Sequence, residues 1–428
     1  MKRSARYLAN ALVYSPIFLL VTGLGSATAQ DAVLTPNEQL GKSIFFDQNL
    51  SFHQNESCAA CHGPEAGWTG PEPFINAAGA VYEGSVSGRF GNRKPPSAAY
   101  ATFSPIFHQD RNGLFEGGNF WDGRATGEKL GLPAADQAEG PFLNPVEQAL
   151  PDPACVVYRV CNPVDPTAYP VSFEVVWGPG ACSIAWPSNI AAACSTEGMT
   201  VALSASDRAK SDMAYDQIAL SIAAYEASPA VNAFTSKYDY TFKGKATLSK
   251  QERRGYALFR GKGKCNRCHL GNGQKPLFTD FTFDNLGLPQ NPDNPAGVAP
   301  AFVDPGLGGF LKKAGYPEDV YLAQWGKHKV PTLRNVDSRP SSGFVKAYGH
   351  NGYFKSLEGI VHFYNTRDVK PVCPGLYTES QALAADCWPS PEVPTNVNAD
   401  ELGSLRLSPA EEAAIVAFLR TLSDGYAP

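Results

Sequence analysis

The pentapeptide Cys-x-x-Cys-His occurs twice in the chain, at residues 58–62 and 265–269. This pattern is typical of c-type haem attachment, because the two thiols can add to the porphyrin vinyl groups while the adjacent histidine ligates the iron. A zinc site or a pair of disulfides would use the same residue types, and two intact copies favour haem over both. The candidate attachment residues are Cys58, Cys61, Cys265 and Cys268, and the candidate axial ligands are His62 and His269.

Each motif follows a segment whose apolar spacing predicts a helix, so one arrangement is repeated along the chain. The first such helix is expected over residues 36–46. The second should begin at Ser249, where Glu252 completes the pattern of a capping box. We expect a further helix over about 212–227 and a last helix that begins after Ser408.

This organisation predicts a mainly α fold, with two tandem cytochrome c-like haem domains and long Pro/Gly-rich loops. The 35 prolines and 40 glycines indicate that ordered loops wrap a helical scaffold. We place the N-terminal domain at residues 30–235, with a disulfide-rich insertion at about 151–200. The C-terminal domain covers residues 236–428.

Six cysteines remain outside the haem motifs, and all of them lie in Pro-rich segments with weak periodicity. Pairing of nearest neighbours would close three local loops and stabilise them. A metal site is the alternative, although no histidine accompanies these cysteines. The expected pairs are Cys155–Cys161, Cys182–Cys194 and Cys373–Cys387.

The N-terminus has the pattern of a cleaved secretory signal peptide over residues 1–29. Lys2, Arg3 and Arg6 precede an apolar stretch, and small residues at 27–29 offer a cleavage site. No later segment contains eighteen consecutive apolar residues, so no membrane span is expected in the mature chain. Haem c attachment and disulfides both require export, which predicts a periplasmic protein.

The formal net charge falls from −5 to −8 when the three cations of the signal segment are removed. This acidity gives no support for nucleic-acid binding. It would suit a basic partner, such as a small electron-donor cytochrome.

Several further strings resemble the bacterial dihaem cytochrome c peroxidases and the related MauG-type enzymes, and this resemblance extends over nearly the whole mature chain. In the first half they are Leu-Gly-Lys-Ser-Ile-Phe-Phe-Asp at 40–47, Phe-Trp-Asp-Gly-Arg-Ala at 120–125 and Pro-Phe-Leu-Asn-Pro-Val-Glu at 141–147. In the second half they are Val-Pro-Thr-Leu-Arg-Asn-Val at 330–336, Tyr-Gly-His-Asn-Gly at 348–352, Leu-Glu at 357–358 and His-Phe-Tyr-Asn at 362–365.

The resemblance implies that the first haem is the peroxidatic one and that peroxide binds on the side of the iron opposite His62. Glu147 matches the family's general acid/base, and Gln137 matches a residue that orients peroxide or water, with Pro141 between them. An ordinary solvated loop carboxylate is the alternative role for Glu147. Many relatives also have a histidine shortly after the first motif that caps the iron. Here the next histidine is His108, which favours an open first haem.

Trp121 matches a family tryptophan between the two haems that relays electrons, and a core aromatic role is compatible with this. The longer spacing between Trp121 and Gln137 implies an insertion near residues 127–136. For the second haem, the family uses Met or Tyr as the other axial ligand. The candidates here are Tyr348, slightly favoured, and His350, which could instead be a core histidine. Met199 and Met213 both precede the second motif.

The family also has an interdomain calcium ion, for which Asn92 is a candidate ligand with carbonyls near Lys329 and Pro331. Asn92 could equally be a turn residue.

The resemblance implies a periplasmic enzyme that uses H₂O₂ and two covalently bound haems c. The first hypothesis is a peroxidase that reduces H₂O₂ to water with electrons from a small cytochrome c or cupredoxin. The second is a MauG-like oxidase that modifies Trp or Tyr residues of a partner protein, which the missing methionine and missing capping histidine favour. A non-catalytic dihaem electron-transfer cytochrome ranks last. The family also contains homodimers, so a dimer is compatible with this interpretation.

Overall fold

The computed structural model describes residues 33–295 and 302–428, and its fold is mostly helical. The predicted signal segment lies outside the described residues. The helices are α1 (Pro36–Phe46), α2 (Cys58–Cys61), α3 (Pro73–Ala77), α4 (Pro133–Leu143), α5 (Pro153–Cys161), α6 (Phe173–Trp177), α7 (Ile190–Ala193), α8 (Ala205–Ala227), α9 (Lys237–Phe242), α10 (Lys250–Arg260), α11 (Gly306–Lys313), α12 (Glu318–Ala323), α13 (Leu357–Thr366), α14 (Glu379–Ala384) and α15 (Pro409–Leu419). No helix in these two ranges is long and apolar enough to span a membrane.

The helices that precede the two motifs begin where the sequence predicts. Thr35 caps α1, and Ser249 caps α10 with the expected capping box to Glu252. Ser408 caps α15 in the same way. The helix expected over 212–227 is longer at its start, because the Ser204 hydroxyl accepts a hydrogen bond from the Asp207 amide and allows α8 to begin at Ala205.

Two large hydrophobic cores divide the chain, one built from residues between 40 and 234 and the other from residues between 238 and 422. In the first core α1 packs against α8, and in the second α10 packs against α15. Both crossings depend on a glycine. A Cβ atom at Gly41 would lie 1.8 Å from the Ser221 carbonyl oxygen, and one at Gly255 would lie 1.8 Å from that of Ala414. Each motif therefore follows a helix held by the same kind of close crossing.

A smaller apolar cluster joins the two halves and includes Phe107, Phe115 and Phe283. Four short strands lie around it: β1 (His108–Gln109), β2 (Phe115–Glu116), β3 (Phe283–Asp284) and β4 (His328–Lys329). The strand β1 pairs antiparallel with β2, and β3 pairs antiparallel with β4. The Lys329 amide also donates to the carbonyl of Trp121, which ties β4 to the N-terminal half.

All six remaining cysteines form disulfides, but two of the three expected pairs are wrong. The observed bonds are Cys155–Cys194, Cys161–Cys182 and Cys373–Cys387, so only the last pair follows the nearest-neighbour expectation. Cys155 and Cys161 both belong to α5. Six residues of helix rise about 9 Å, which exceeds the Cα separation that a disulfide can bridge. The metal-site alternative for these cysteines is excluded by their pairing.

The nested pairing predicts a specific peptide map. Cleavage of the unreduced protein after Arg159 and after Glu174 separates Cys155, Cys161 and the segment that carries both Cys182 and Cys194. We expect all three peptides to stay joined until reduction. Nearest-neighbour pairing would instead release the Cys182–Cys194 segment, so mass spectrometry of the unreduced digest decides between the two arrangements.

Candidate functional site

A cavity of about 400 Å³ lies between the two large cores, and both Cys-x-x-Cys-His motifs contribute to its wall. From the first motif come Cys58, Cys61 and His62, and from the second come Cys265 and His269. A smaller cavity of about 110 Å³ lies beside the second motif and is lined by Cys265, Cys268 and His269. The fold thus brings together two motifs that are about two hundred residues apart in the sequence.

The four motif cysteines are the free cysteines of the described chain, which argues against the disulfide alternative. Burial raises the pKa of Cys58 and that of Cys265 to about 12. Within residues 33–295 and 302–428, no cluster of metal-ligating atoms includes both cysteines of a motif together with its histidine. The motif thiols therefore fit covalent haem attachment better than zinc.

Backbone carbonyls orient both motif histidines. The Nδ1 atom of His62 lies 3.4 Å from the Trp68 carbonyl oxygen, and that of His269 lies 2.9 Å from the Phe278 carbonyl oxygen. Burial lowers the pKa of His62 to about 4 and lowers the pKa of His269 as well. A neutral ring with a proton on Nδ1 leaves Nε2 free to ligate a metal, which suits an axial ligand.

Three lysines line the larger cavity: Lys94 and Lys346, which are buried, and Lys329, which is half-buried. The Nζ atom of Lys94 contacts the Thr69 hydroxyl at 2.7 Å and the Pro95 carbonyl at 2.8 Å. Among the described residues, no carboxylate forms an ion pair with any of these lysines. Burial lowers the pKa of Lys94 and that of Lys329 to about 7. Burial also lowers the pKa of Lys346, and carboxylates on a cofactor in the cavity would stabilise the charged forms of all three amines.

The C-terminal part of α4 and the turn that follows it place the predicted catalytic residues on the same cavity wall. Gln137 and Pro141 are one helical turn apart and both line the cavity. Glu147 follows in the turn after the helix, where its amide donates to the Asn144 carbonyl at 3.0 Å, and it also lines the cavity. The loop before α4 is held by Asp136, whose carboxylate accepts the amides of residues 127, 129 and 130. Of the segment near residues 127–136, where the sequence implies an insertion, residues 127–132 form this loop and residues 133–136 begin α4, and Gln137 lies at the cavity wall.

Burial raises the pKa of Glu147, and the positive charge of Arg124 opposes this only in part. Two further buried carboxylates, which the sequence reasoning missed, line the cavity. Burial raises the pKa of Glu56 to about 7, and its Oε1 lies 3.4 Å from the Sγ of Cys61. Burial raises the pKa of Glu226 on α8 to about 8. No local sequence signal marks either residue, because their burial results from packing between distant segments.

Trp121 contributes to the walls of both cavities and is only 9% exposed. Its indole Nε1–H donates to the Lys94 carbonyl at 2.8 Å, and its ring centroid lies 6.5 Å from that of His350 in an edge-on arrangement. The ring is therefore fixed in one orientation between the first-motif residues and those around the second motif.

Comparison with known proteins decides the family. A family profile described as di-haem cytochrome c peroxidase matches residues 35–247. The methylamine utilization protein MauG of Paracoccus denitrificans is 34% identical over 421 residues, which cover 96% of this chain and 94% of that protein. This chain belongs to the dihaem cytochrome c peroxidase and MauG family.

Other relatives agree with this assignment. The cytochrome c551 peroxidase of Nitrosomonas europaea is 25% identical over 81% of this chain and 82% of that protein. The crystal structure of the dihaem peroxidase BthA from Burkholderia thailandensis superimposes with a TM-score of 0.71 and 28% identity, over 91% of this chain and 87% of that chain. The chain is therefore an oxidoreductase of the dihaem peroxidase type, and its family implies two c-type haems.

In this family member, the two candidates for the second haem's other axial ligand have other partners. The Tyr348 hydroxyl contacts the Asp337 carboxylate at 3.2 Å and the Arg339 guanidinium at 3.1 Å. The ring of His350 stacks on that of His328 with centroids 3.5 Å apart, and its Nε2 lies 3.3 Å from a Glu392 carboxylate oxygen. Tyr348 lines the larger cavity and His350 the smaller one.

A third residue, Tyr364 on α13, lies beside the second motif and contributes to both cavities. It lines both cavities together with Cys265 and His269. Burial raises the pKa of Tyr364, and the neighbouring Cys265 and Cys268 add to this effect. Within the described residues its hydroxyl has no hydrogen-bond partner. Tyr364 belongs to the family string at 362–365, and the signal for its role is the position of that string on a helix that faces the second motif.

Asn92, Lys329 and Pro331 all line the larger cavity, and the Asn92 carbonyl accepts a hydrogen bond from the Asn294 side chain at 3.0 Å. His108 is exposed on β1, where its Nδ1 lies 2.9 Å from the Ile106 carbonyl oxygen, and it is not among the residues that line either cavity. This position gives no support for His108 as a cap on the first haem.

Proposed function

We propose that this protein is a periplasmic dihaem c-type enzyme that uses H₂O₂, with a peroxidatic haem in the N-terminal half and an electron-transfer haem in the C-terminal half. The observation that carries the proposal is the single cavity that brings both attachment motifs together with Gln137, Glu147 and Trp121. When bound, the haems supply the redox centres for cleavage of the peroxide O–O bond. The export that haem c attachment requires supports the periplasmic assignment.

In this proposal, His62 and His269 would hold the two irons through Nε2, because carbonyl acceptors at Nδ1 keep the rings in place. The four motif thiols would anchor the porphyrins. Lys94, Lys329 and Lys346 would balance the propionate charges, because each lies at the cavity wall and forms no ion pair with a carboxylate of the described residues.

Glu147 would take the proton from the attacking peroxide oxygen and return it to the departing oxygen, as a general base and then a general acid. Its raised pKa suits both roles near neutral pH, since a carboxyl with an ordinary pKa would be a poor proton donor there. Gln137 would hold the peroxide by hydrogen bonds from the same wall. Reduction of H₂O₂ to two waters consumes two protons and two electrons, and a small redox protein would supply the electrons.

The MauG-like alternative, in which the oxidising equivalents modify a partner protein, is favoured by Tyr364. The two methionines of the described chain, Met199 and Met213, are exposed residues of the N-terminal half, and neither lines the cavities. A tyrosine ligand stabilises oxidised iron more than methionine does. We propose Tyr364 as the second axial ligand of the second haem, in place of Tyr348 or His350. Asn92, with the carbonyls near Lys329 and Pro331, remains our proposed calcium site.

The deciding experiment is stopped-flow absorption of the diferric protein after addition of stoichiometric H₂O₂. Immediate changes at both haems without prior reduction, followed by slow decay, would support the MauG-like function. Reaction only after one electron has been added would support an ordinary peroxidase. The absence of peroxide chemistry in both states would favour a plain electron-transfer cytochrome and overturn the proposal.

Replacement of Trp121 by Phe tests the proposed relay in the same experiment. The smaller ring is harder to oxidise and cannot donate to the Lys94 carbonyl, so we expect electron exchange between the haems to slow by at least about tenfold. The first haem should still react with peroxide. Trp186→Phe is the matched control, because Trp186 packs on Tyr158, away from the cavities. Unchanged exchange in Trp121→Phe would exclude the relay.

A further inference from the structure

The segment around the second haem motif has a charge opposite to that of the rest of the protein. Residues 250–275 contain eight Lys or Arg residues and one acidic residue, Glu252. The rest of the chain after residue 29 contains 25 Lys or Arg residues and 40 Asp or Glu residues. An acidic protein thus carries a concentrated basic segment at the motif that the proposed function uses for electron exchange.

These cations lie on the protein surface. Seven of the eight are exposed, and the eighth, Lys264, is half-buried at the edge of the smaller cavity. We call this set the basic face; its members are Lys250, Arg253, Arg254, Arg260, Lys262, Lys264, Arg267 and Lys275.

The acidic residues beside the basic face do not neutralise it. Glu411 lies 2.7 Å from Lys262 and 3.9 Å from Arg254, and Glu401 lies 3.6 Å from Arg267. Glu252 is paired with Lys237, which lies outside the segment. Asp400 meets Lys264 through its backbone carbonyl, at 2.6 Å. Asp280 and Asp284 also lie near Cys268, and both are half-buried. Even if these two and Glu252, Asp400, Glu401 and Glu411 are all counted against it, the face keeps more positive than negative charges.

The same face contains an exposed apolar residue and lies directly over the second motif. Leu270, which follows His269, is 38% exposed. Gly263, Lys264, Cys265 and Cys268 all line the smaller cavity. An apolar contact with a charged rim above a redox site is the composition expected of a docking surface for transient electron transfer.

We propose that the basic face is the docking surface for a small protein whose contact face is acidic, and that this partner exchanges electrons with the second haem. The inference rests on the proposed function, because it assigns the partner class of the same haem. The proposed partner is acidic at its contact face, whereas the net charge of the whole chain predicts a basic partner. Local charge takes precedence because interactions between exposed charges are screened over about 8 Å at physiological ionic strength, so a docked partner responds mainly to the face it touches.

A single probe protein with two charge states tests this inference. Horse heart cytochrome c is basic, and succinylation of its lysines makes it acidic while the haem is kept. We expect the holoenzyme to bind the succinylated form at least tenfold more tightly than the native form at low ionic strength, by calorimetry. Added salt should remove the difference. Tighter binding of native cytochrome c, or equal binding, would overturn the proposal.

Charge reversal locates the surface. In the double variant Arg260→Glu and Lys262→Glu, binding of succinylated cytochrome c should weaken at least tenfold. The matched control is Lys42→Glu with Lys210→Glu, two exposed lysines on the helices α1 and α8, which should bind as the wild type does. Equal weakening in both double variants would show that net charge, rather than this face, determines binding.

One further readout separates this inference from the proposed function. Consumption of H₂O₂ with a small-molecule reductant does not need docking and should be equal in all these variants. If binding follows the prediction but peroxide is not consumed, the proposed function fails and the docking surface stands. If peroxide is consumed but succinylation does not improve binding, the docking inference fails alone.

Discussion

Replacement of Glu147 by Gln is expected to lower the rate of peroxide reduction by about 10²–10⁴-fold, the usual contribution of a positioned acid or base. Glutamine keeps the size and the hydrogen-bonding capacity of the side chain but cannot accept or return the peroxide proton. Because Glu147 lies in the turn after α4 and is half-buried at the cavity wall, we expect the fold and both haem attachments to survive. The rate of the first absorbance change after mixing with H₂O₂ measures the effect.

Glu139→Gln is the matched control for this experiment. Glu139 lies on the same helix, but its carboxylate forms an ion pair with Lys129 at 2.6 Å and is not among the cavity residues. A similar loss in both variants would contradict a catalytic role for Glu147. If Glu56→Gln or Glu226→Gln alone abolished the reaction, the proton transfer would belong to that carboxylate instead.

The pH profile gives an independent readout. Burial raises the pKa of Glu147, so this carboxyl stays protonated up to a higher pH than an exposed glutamate. We expect kcat/KM of the wild type to show an ionisation above the ordinary glutamate pKa, with activity rising as pH increases through it because the base form accepts the peroxide proton. This ionisation should be missing in Glu147→Gln.

Tyr364→Met should produce the largest change in redox potential. If Tyr364 is the second axial ligand of the second haem, methionine at this position replaces an anionic oxygen ligand by a neutral sulfur. Axial ligand identity sets haem potentials over several tenths of a volt, so we expect the second haem's midpoint potential to rise by roughly hundreds of millivolts. The diferric protein should then lose the ability to oxidise both haems together with H₂O₂. Spectroelectrochemistry of the purified holoenzyme measures the shift.

Two variants discriminate between the candidate ligands. Tyr348→Phe removes only a hydroxyl that contacts Asp337 and Arg339, and should leave the spectrum and potential of the second haem unchanged. His350→Gln removes the ring that stacks on His328 and should likewise leave the spectrum and potential of the second haem unchanged. A large change in the haem spectrum of Tyr348→Phe, together with an unchanged spectrum in Tyr364→Met, would show that Tyr348 is the ligand, as first expected from the sequence.

The sequence alone determined the features that depend on neighbouring residues. The two Cys-x-x-Cys-His motifs are contiguous, so the attachment chemistry can be read without a fold. The starts of α1, α10 and α15 follow from capping residues and the amide three positions later, which are local interactions. The short loop of Cys373–Cys387 was predictable for the same reason, and the order of the family strings implied the enzyme class.

Only the tertiary structure decided the features that depend on distant segments. Cys155 pairs with Cys194 because α5 holds Cys155 and Cys161 too far apart to bond with each other. Tyr364 replaces Tyr348 as the candidate ligand because α13 places it beside Cys265, while Asp337 and Arg339 hold the Tyr348 hydroxyl. The charge of the basic face can be read from residues 250–275 of the sequence, but the structure is needed to show that its cations are exposed over the second motif. The disulfide and the candidate ligand join residues that are distant in sequence, and helix packing sets their separation.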